Sequence, residues 1–225
     1  MIKTLFSFNF KKFCIFLIFI VSALLSFWFS EKKYYILCLL TIILIIVFFF
    51  LSLEKSNISP KSLILASVLS SIAATSRILF SMLPQVKPMS AIIIISGICL
   101  GPKLGFLTGT LSAFTSNFFL GQGIWTPWQM ITFGIMGFMA GLIFKSTPPK
   151  KLCIYIYGAI AAIFYGFIMN FSSYLLFTDT ISFNALLAYL FSGFLVDIIH
   201  SISTVIFLFL LFDPISKQIK RLLNK

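Results

Sequence analysis

The chain has 225 residues, of which 60% are apolar and only 10% charged, and its 17 bases stand against five acids for a net charge of +12. Soluble domains carry about 25% charged residues, so this composition cannot cover a globular surface facing water. It also excludes a disordered chain and a secreted disulfide scaffold. What remains is an all-α polytopic membrane protein. The positive charge does not read as a nucleic-acid footprint. The bases lie singly or in pairs between apolar runs, and no basic stretch interleaves with stacking aromatics. Cys14, Cys38, Cys99 and Cys153 sit far apart, each inside an apolar run without metal-ligand spacing, and read as small apolar side chains.

A membrane-spanning helix needs about 20 apolar residues. In chain order the apolar runs are 13–30, 34–53, 62–82, 89–100, 104–120, 128–144, 152–177 and 185–212, which predicts eight spans. The first run follows Lys11 and Lys12 like a signal peptide, but it ends Phe-Trp-Phe-Ser-Glu without a small-residue cleavage pattern. It is expected to be a retained helix. The run 89–100 is only 12 residues, and prolines or glycine bound it at Pro84, Pro88 and Gly101-Pro102. It spans about 18 Å as a helix, so it must borrow flanking residues or end in a protein-lined space. The last two runs are long enough to tilt or to project beyond the membrane.

Between the second and third runs lies Glu54-Lys-Ser-Asn-Ile-Ser-Pro-Lys61, the most linker-like stretch of the chain. It divides residues 1–61, two Phe/Ile-rich helices, from residues 62–225, a six-helix core rich in Gly, Ser, Thr and Ala with a basic tail. With both termini in the cytoplasm, 13 bases fall inside and four (Lys32, Lys33, Arg77 and Lys87) fall outside. That asymmetry sets the expected orientation in the plasma membrane.

Ionisable and amide side chains at membrane depth are costly, and by default they mark a site. Here they gather in the outward half: Arg77, Lys87, Asn117, Gln122, Gln129 and Asn170, with Asp197 and His200 nearer mid-membrane. Few polar groups among apolar walls is the pattern of a solute pocket. Each residue also has a plainer reading. Arg77 can snorkel to headgroups, Asn117 and Asn170 can bond neighbouring helices, Asp197 can pair with Arg77 or His200, and His200 can be an interior histidine with a satisfied ring.

The loop Gly121-Gln-Gly-Ile-Trp-Thr-Pro-Trp-Gln129 has no charge and carries two indoles, Trp125 and Trp128. It is read either as an interfacial aromatic pair or as a lid over the ligand. Small residues recur at helical spacing as Ala66-x-x-x-Ser70-x-x-x-Ala74, Gly105-x-x-x-Gly109 and Gly137-x-x-x-Gly141. Such faces allow close helix approach, and internal packing is the expectation for the two glycine pairs. The sequence has no Gly-Lys dipeptide, no His-Glu-x-x-His and no Gly-x-Ser-x-Gly, and it has a single histidine. It is therefore not expected to be an enzyme.

With Leu83-Pro-Gln-Val-Lys-Pro88, Ser96-Gly97, Gly101-Pro-Lys-Leu-Gly-Phe-Leu-Thr-Gly109, Ser116-Asn117 and Gly121-Gln-Gly-Ile-Trp-Thr-Pro-Trp-Gln-Met130, residues 62–213 resemble the substrate-binding S components of energy-coupling factor (ECF) vitamin transporters. The resemblance implies a six-helix core that binds a vitamin or its precursor from outside, without a cofactor of its own. It implies as partners a transmembrane T component and two cytoplasmic ATPases that use the ATP. The family's small-residue face on the first core helix corresponds to Ala66, Ser70 and Ala74, which the resemblance makes partner-facing, with Ser70 in place of the usual Ala. Two extra N-terminal helices depart from the family's six. The competing expectation from the residues themselves is a self-contained ion- or proton-coupled carrier using Asp197 and His200.

Overall fold

A computed structural model describes residues 58–144, 150–178 and 182–224, together with residues 36, 39, 40, 42–44, 46 and 47. Among these residues all regular structure is helical. Six helices follow in chain order: α1 (Pro60–Leu79), α2 (Met89–Leu100), α3 (Pro102–Leu120), α4 (Thr126–Ile143), α5 (Lys151–Phe177) and α6 (Phe183–Leu223). Their starts and stops follow from local chemistry. Ser59 caps α1 by accepting from the Ser62 N–H, with Pro60 in the first turn. Gly101, at φ +91°, closes α2, and Pro102 opens α3 directly behind it. Gly121, at φ +103°, closes α3 in the same way.

The short helix α2 is apolar all round, and Met89 through Gly97 are buried along its whole circumference. It is the axis of the bundle, enclosed by α1, α3, α4 and α6. A helix hydrophobic on every face belongs inside a larger assembly. Around this axis, α3 and α4 form one tightly packed pair and α5 and α6 another. The first pair meets α2 through glycines. A Cβ added at Gly97 would run into the Gly137 carbonyl, one at Gly105 into the same carbonyl, and one at Gly109 into the carbonyl of Phe133. Both glycine pairs expected to pack internally therefore do so, backbone against backbone.

Four of the described helices, α1, α4, α5 and α6, are long and apolar enough to cross a membrane. Their outer faces carry large exposed apolar residues such as Ile64, Val68, Ile72, Ile160, Leu195 and Phe209. Lipid rather than water matches such a surface, and the molecule is a multi-pass membrane protein. The last helix is longer than the expected run of 185–212. It continues through Pro214 into the basic residues Lys217, Lys220 and Arg221, for a length of about 60 Å. Its final turns fold their apolar side onto the core, where Ile219 is buried.

The expected span 13–30 and most of 34–53 lie outside the described residues. Within the second, Ile42 and Ile46 are buried in an apolar cluster with Phe106, Trp128 and Ile131, flanked by Ile168 and Leu175 of α5. This part of the N-terminal region rests on the core.

Candidate functional site

The polar groups singled out along the sequence sort into two sets and a rim. The larger set gathers at the end of the bundle holding the loops 80–88 and 121–125. Arg77, in the last turn of α1, points inward and is 6% exposed. Its Nη1 donates to Ser116 Oγ at 2.6 Å and to Asn117 Oδ1 at 2.7 Å, and its Nη2 donates to Gln129 Oε1 at 3.3 Å. Asn117 in turn donates from Nδ2 to Gln129 Oε1 at 2.8 Å and to Thr126 Oγ1 at 3.1 Å. Arg77 therefore does not snorkel. It is a buried cation in a cradle of neutral acceptors, and its Nε finds no hydrogen-bond partner among the described residues.

The remaining helices complete this region. Tyr165 of α5 is buried within electrostatic reach of Arg77, with Gln129 beside it. Its ring packs on Phe133 at a centroid distance of 4.4 Å and edge-on to His200 at 5.2 Å. His200 is itself buried, with Nε2 and Ser90 Oγ 2.7 Å apart. Lys87 stands in the loop before α2. Its backbone N–H donates to Ser203 Oγ at 3.0 Å, and its ammonium donates to Gln85 Oε1 at 3.0 Å. Burial, and secondarily the charge of Arg77, push the Lys87 ammonium down to about 8. Gln85 holds its place in this turn with a left-handed φ of +58°, a conformation that non-glycine residues adopt at a cost.

The loop between α3 and α4 forms the rim and is wired to this cluster. Thr126 Oγ1 accepts from the Gly123 N–H and from Asn117, and donates to Gln122 Oε1 at 2.9 Å. Gln122 also donates to the Phe114 carbonyl at 3.1 Å. The loop proper is only residues 121–125, because Thr126, Pro127 and Trp128 already belong to the first turn of α4. Trp128 is buried in the cluster with Phe106 and Ile131, while Trp125 is 44% exposed with its indole against Gly123. Of the two indoles, only Trp125 sits in the loop at the rim.

The second set is a separate pair. Asn170 Nδ2 donates to Asp197 Oδ2 at 3.1 Å, joining α5 to α6. Opposite each side chain stands a glycine: the Asp197 carboxyl lies against Gly166, and the Asn170 amide lies against Gly193. Asp197 thus pairs with neither Arg77 nor His200. One turn apart on α6, Asp197 and His200 have different partners, Asn170 and Ser90, and they form no relay with each other.

The small-residue stripe of α1 also turns inward. Ala66, Ser70 and Ala74 are all buried, Ala66 in a cluster with Leu104 and Leu107, and the Ser70 carbonyl accepts from Ser112. The physical reason is that α3 needs a smooth face to approach closely. The residues one position along, Ser67, Ser71 and Thr75, lie on the exposed face between Ile64, Val68 and Ile72.

Sequence reasoning missed Ser90, Ser116, Thr126 and Tyr165. Hydroxyl residues are frequent in membrane helices and mostly bond their own helix, as Thr110 and Thr132 do here. Two of the four did carry a signal: Ser116 stands beside Asn117, and Thr126 lies in the Trp-Thr-Pro-Trp stretch.

Comparison with known proteins gives three findings. The sequence model of one family, described as the substrate-specific component of an ECF transporter, matches residues 61–216. A UPF0397 protein of Vibrio atlanticus is similar at 28% identity over 90 residues, covering 36% of this chain and 49% of that protein. The chain thus spans about half the length of that curated relative, whose name carries no activity. No solved structure matches the chain.

Proposed function

The chain belongs to the family of substrate-specific components of ECF transporters, and from that premise we propose that it captures a vitamin or vitamin precursor from outside the cell. The capture site is the end of the bundle where Arg77, Asn117 and Gln129 meet. The family is one of membrane transport subunits, not enzymes, so this polar cluster holds its ligand without transforming it. The observation that carries the reading is convergence. All six core helices send a polar side chain to one region, Arg77, Ser90, Asn117, Gln129, Tyr165 and His200, whereas the polar groups buried elsewhere in the bundle are hydroxyls such as Ser96, Thr108 and Thr132. Few polar groups among apolar walls suit a small solute. Lys87 and the loop 121–125, with Gln122 and Trp125, are the rim through which the ligand passes.

The distribution of bases supports this end facing outward, with eight spans and both termini cytoplasmic. Energy comes from partners: a transmembrane T component and two ATPases that hydrolyse ATP in the cytoplasm, with no cofactor in this chain. The T component docks on the exposed face of α1 along Ser67, Ser71 and Thr75, because Ala66, Ser70 and Ala74 are buried, the first two against α3.

Affinity purification of the tagged chain together with vesicle uptake tests this reading. Co-purifying ATPases and ATP-dependent uptake are expected, and uptake that needs neither would overturn it. Ser71→Trp is expected to block assembly while sparing ligand binding. Ser70→Trp is expected to disrupt the fold itself.

A further inference from the structure

A buried cation normally meets an acid, because a charge taken out of water is costly unless it is paired. Arg77 meets none. Three of its N–H donors go to Ser116, Asn117 and Gln129, all neutral. The chain offers five acids in all. Of the two among the described residues, Asp197 is engaged by Asn170, and Asp213 pairs with Lys151 at 2.5 Å at the opposite end of the bundle. Lys87 and Arg77 are the positive charges of this region, and the carboxylate of Asp197 acts on Tyr165 but not on Arg77.

The guanidinium is also incompletely used. It carries five N–H donors in a planar fork, and Nε is buried without a partner among the described residues. Nε shares one edge of the fork with Nη2, whose contact to Gln129 is the longest of the three at 3.3 Å. That edge is the one a carboxylate or phosphate takes with two parallel bonds. The opposite side is fixed by the short contacts of Nη1 to Ser116 and Asn117, so the open edge is held in place before any ligand arrives.

We propose that the captured molecule carries a carboxylate or phosphate group, and that this anion seats on the Nε–Nη2 edge of Arg77 with Lys87 as the second positive charge. The proposal rests on reading this end of the bundle as the capture site, and it supplies the chemistry of the ligand. Arg77 is then kept unpaired at the expense of the empty protein's stability, and the ligand brings the missing charge.

The test uses the full chain purified in detergent, without partner subunits, so its outcome is independent of whether the protein drives ATP-dependent uptake. Thermal unfolding is followed with benzoate, with inorganic phosphate and with benzamide, the uncharged counterpart of benzoate. Benzoate or phosphate is expected to raise the melting temperature saturably, by about 5 °C or more, and benzamide to leave it unchanged. Which of the two anions acts distinguishes a carboxylate site from a phosphate site. Arg77→Gln is expected to abolish the response and, without additive, to unfold no earlier than the unaltered protein, because it removes an unpaired charge. The proposal is overturned if neither anion acts, if benzamide acts equally, if the response survives in Arg77→Gln, or if that variant melts lower without additive. Should Arg77→Gln fail to fold, Arg77→Lys decides. It keeps the charge and loses the fork, so the half-saturating anion concentration should rise at least tenfold, and an unaltered value overturns the proposal.

Discussion

Asn117 gives its amide oxygen to Arg77 at 2.7 Å, so a neutral side chain occupies the place where an acid would complete a buried ion pair. One substitution converts the one into the other. Asn117→Asp supplies the missing charge within the protein, with Gln129 turning its amide to donate to it and giving up its long 3.3 Å contact to Arg77. Charge-assisted bonds exceed neutral ones by roughly 1–2 kcal/mol. The empty variant is therefore expected to melt a few degrees higher while losing at least about tenfold in affinity for an anionic ligand. Calorimetric unfolding and binding titration on the same preparation check both halves, and a variant that melts lower or binds unchanged contradicts the assignment.

Lys87 sets a pH dependence. Its ammonium, held down to about 8 by burial and by Arg77, is charged at neutral pH and neutral by about pH 9. Around it stand Arg77 of α1, His200 and Ser203 of α6, and Gln85 in its own turn. Affinity for an anion should be flat from about pH 6 to 7 and fall as pH rises through about 8. The stability of the empty protein should move the other way. The unfolded chain holds this proton up to the ordinary value of 10.5, so unfolding free energy rises between about pH 8 and 10.5. Lys87→Met should flatten both trends. Titrations across this range, with the substitution as control, decide the point.

The glycines make a steric prediction with an internal contrast. A methyl group at Gly137 meets the Gly105 carbonyl of the facing helix, whereas one at Gly101 meets nothing within 4 Å and only has to tolerate φ +91°. Gly101→Ala should cost about 1–2 kcal/mol through backbone strain. Gly137→Ala forces two backbones apart and should cost about 3 kcal/mol or abolish the folded protein. Comparison of expression and melting temperature for the two variants is sufficient.

Asp197 is expected to be a helix lock and not a proton carrier. Asp197→Asn retains an acceptor for Asn170 and fits the same space against Gly166, so uptake and its pH profile between about 5 and 7 should be unchanged. Gly166→Ala, which fills that space, should instead lower the melting temperature. Loss of uptake in Asp197→Asn would return proton coupling to consideration.

Much of the bundle was legible from apolar run lengths. The runs 89–100, 104–120 and 152–177 fall on α2, α3 and α5 within two residues at every bound, because proline, glycine or charge stops each one. The approach of Arg77, Asn117 and Gln129 was also legible, since only a shared interior makes three such groups tolerable at membrane depth. The side of α1 that α3 covers was not. Ala66, Ser70 and Ala74 and their neighbours Ser67, Ser71 and Thr75 are two adjacent stripes of small residues, and periodicity does not say which one a neighbouring helix will take. The continuation of α6 past 212 was hidden by Pro214 and by the charge that follows it, both ordinary signs of a helix end. Trp128 belongs in the sequence both to the loop's indole pair and to the start of the run 128–144, and Pro127 in the first turn of α4 places it on the helix.

The glycine contacts among α2, α3 and α4 also bear on motion. Where backbone touches backbone there is no side-chain rotamer to readjust, so Gly97, Gly105, Gly109 and Gly137 bind these three helices into a single slab. The slab carries Asn117 and Gln129, which fixes half of the site whatever the occupancy. Tyr165 and His200, on α5 and α6, reach it through side-chain contacts, Tyr165 on Phe133 and His200 on Ser90. Any opening and closing around a ligand is therefore expected of α5 and α6, moving against a stationary wall.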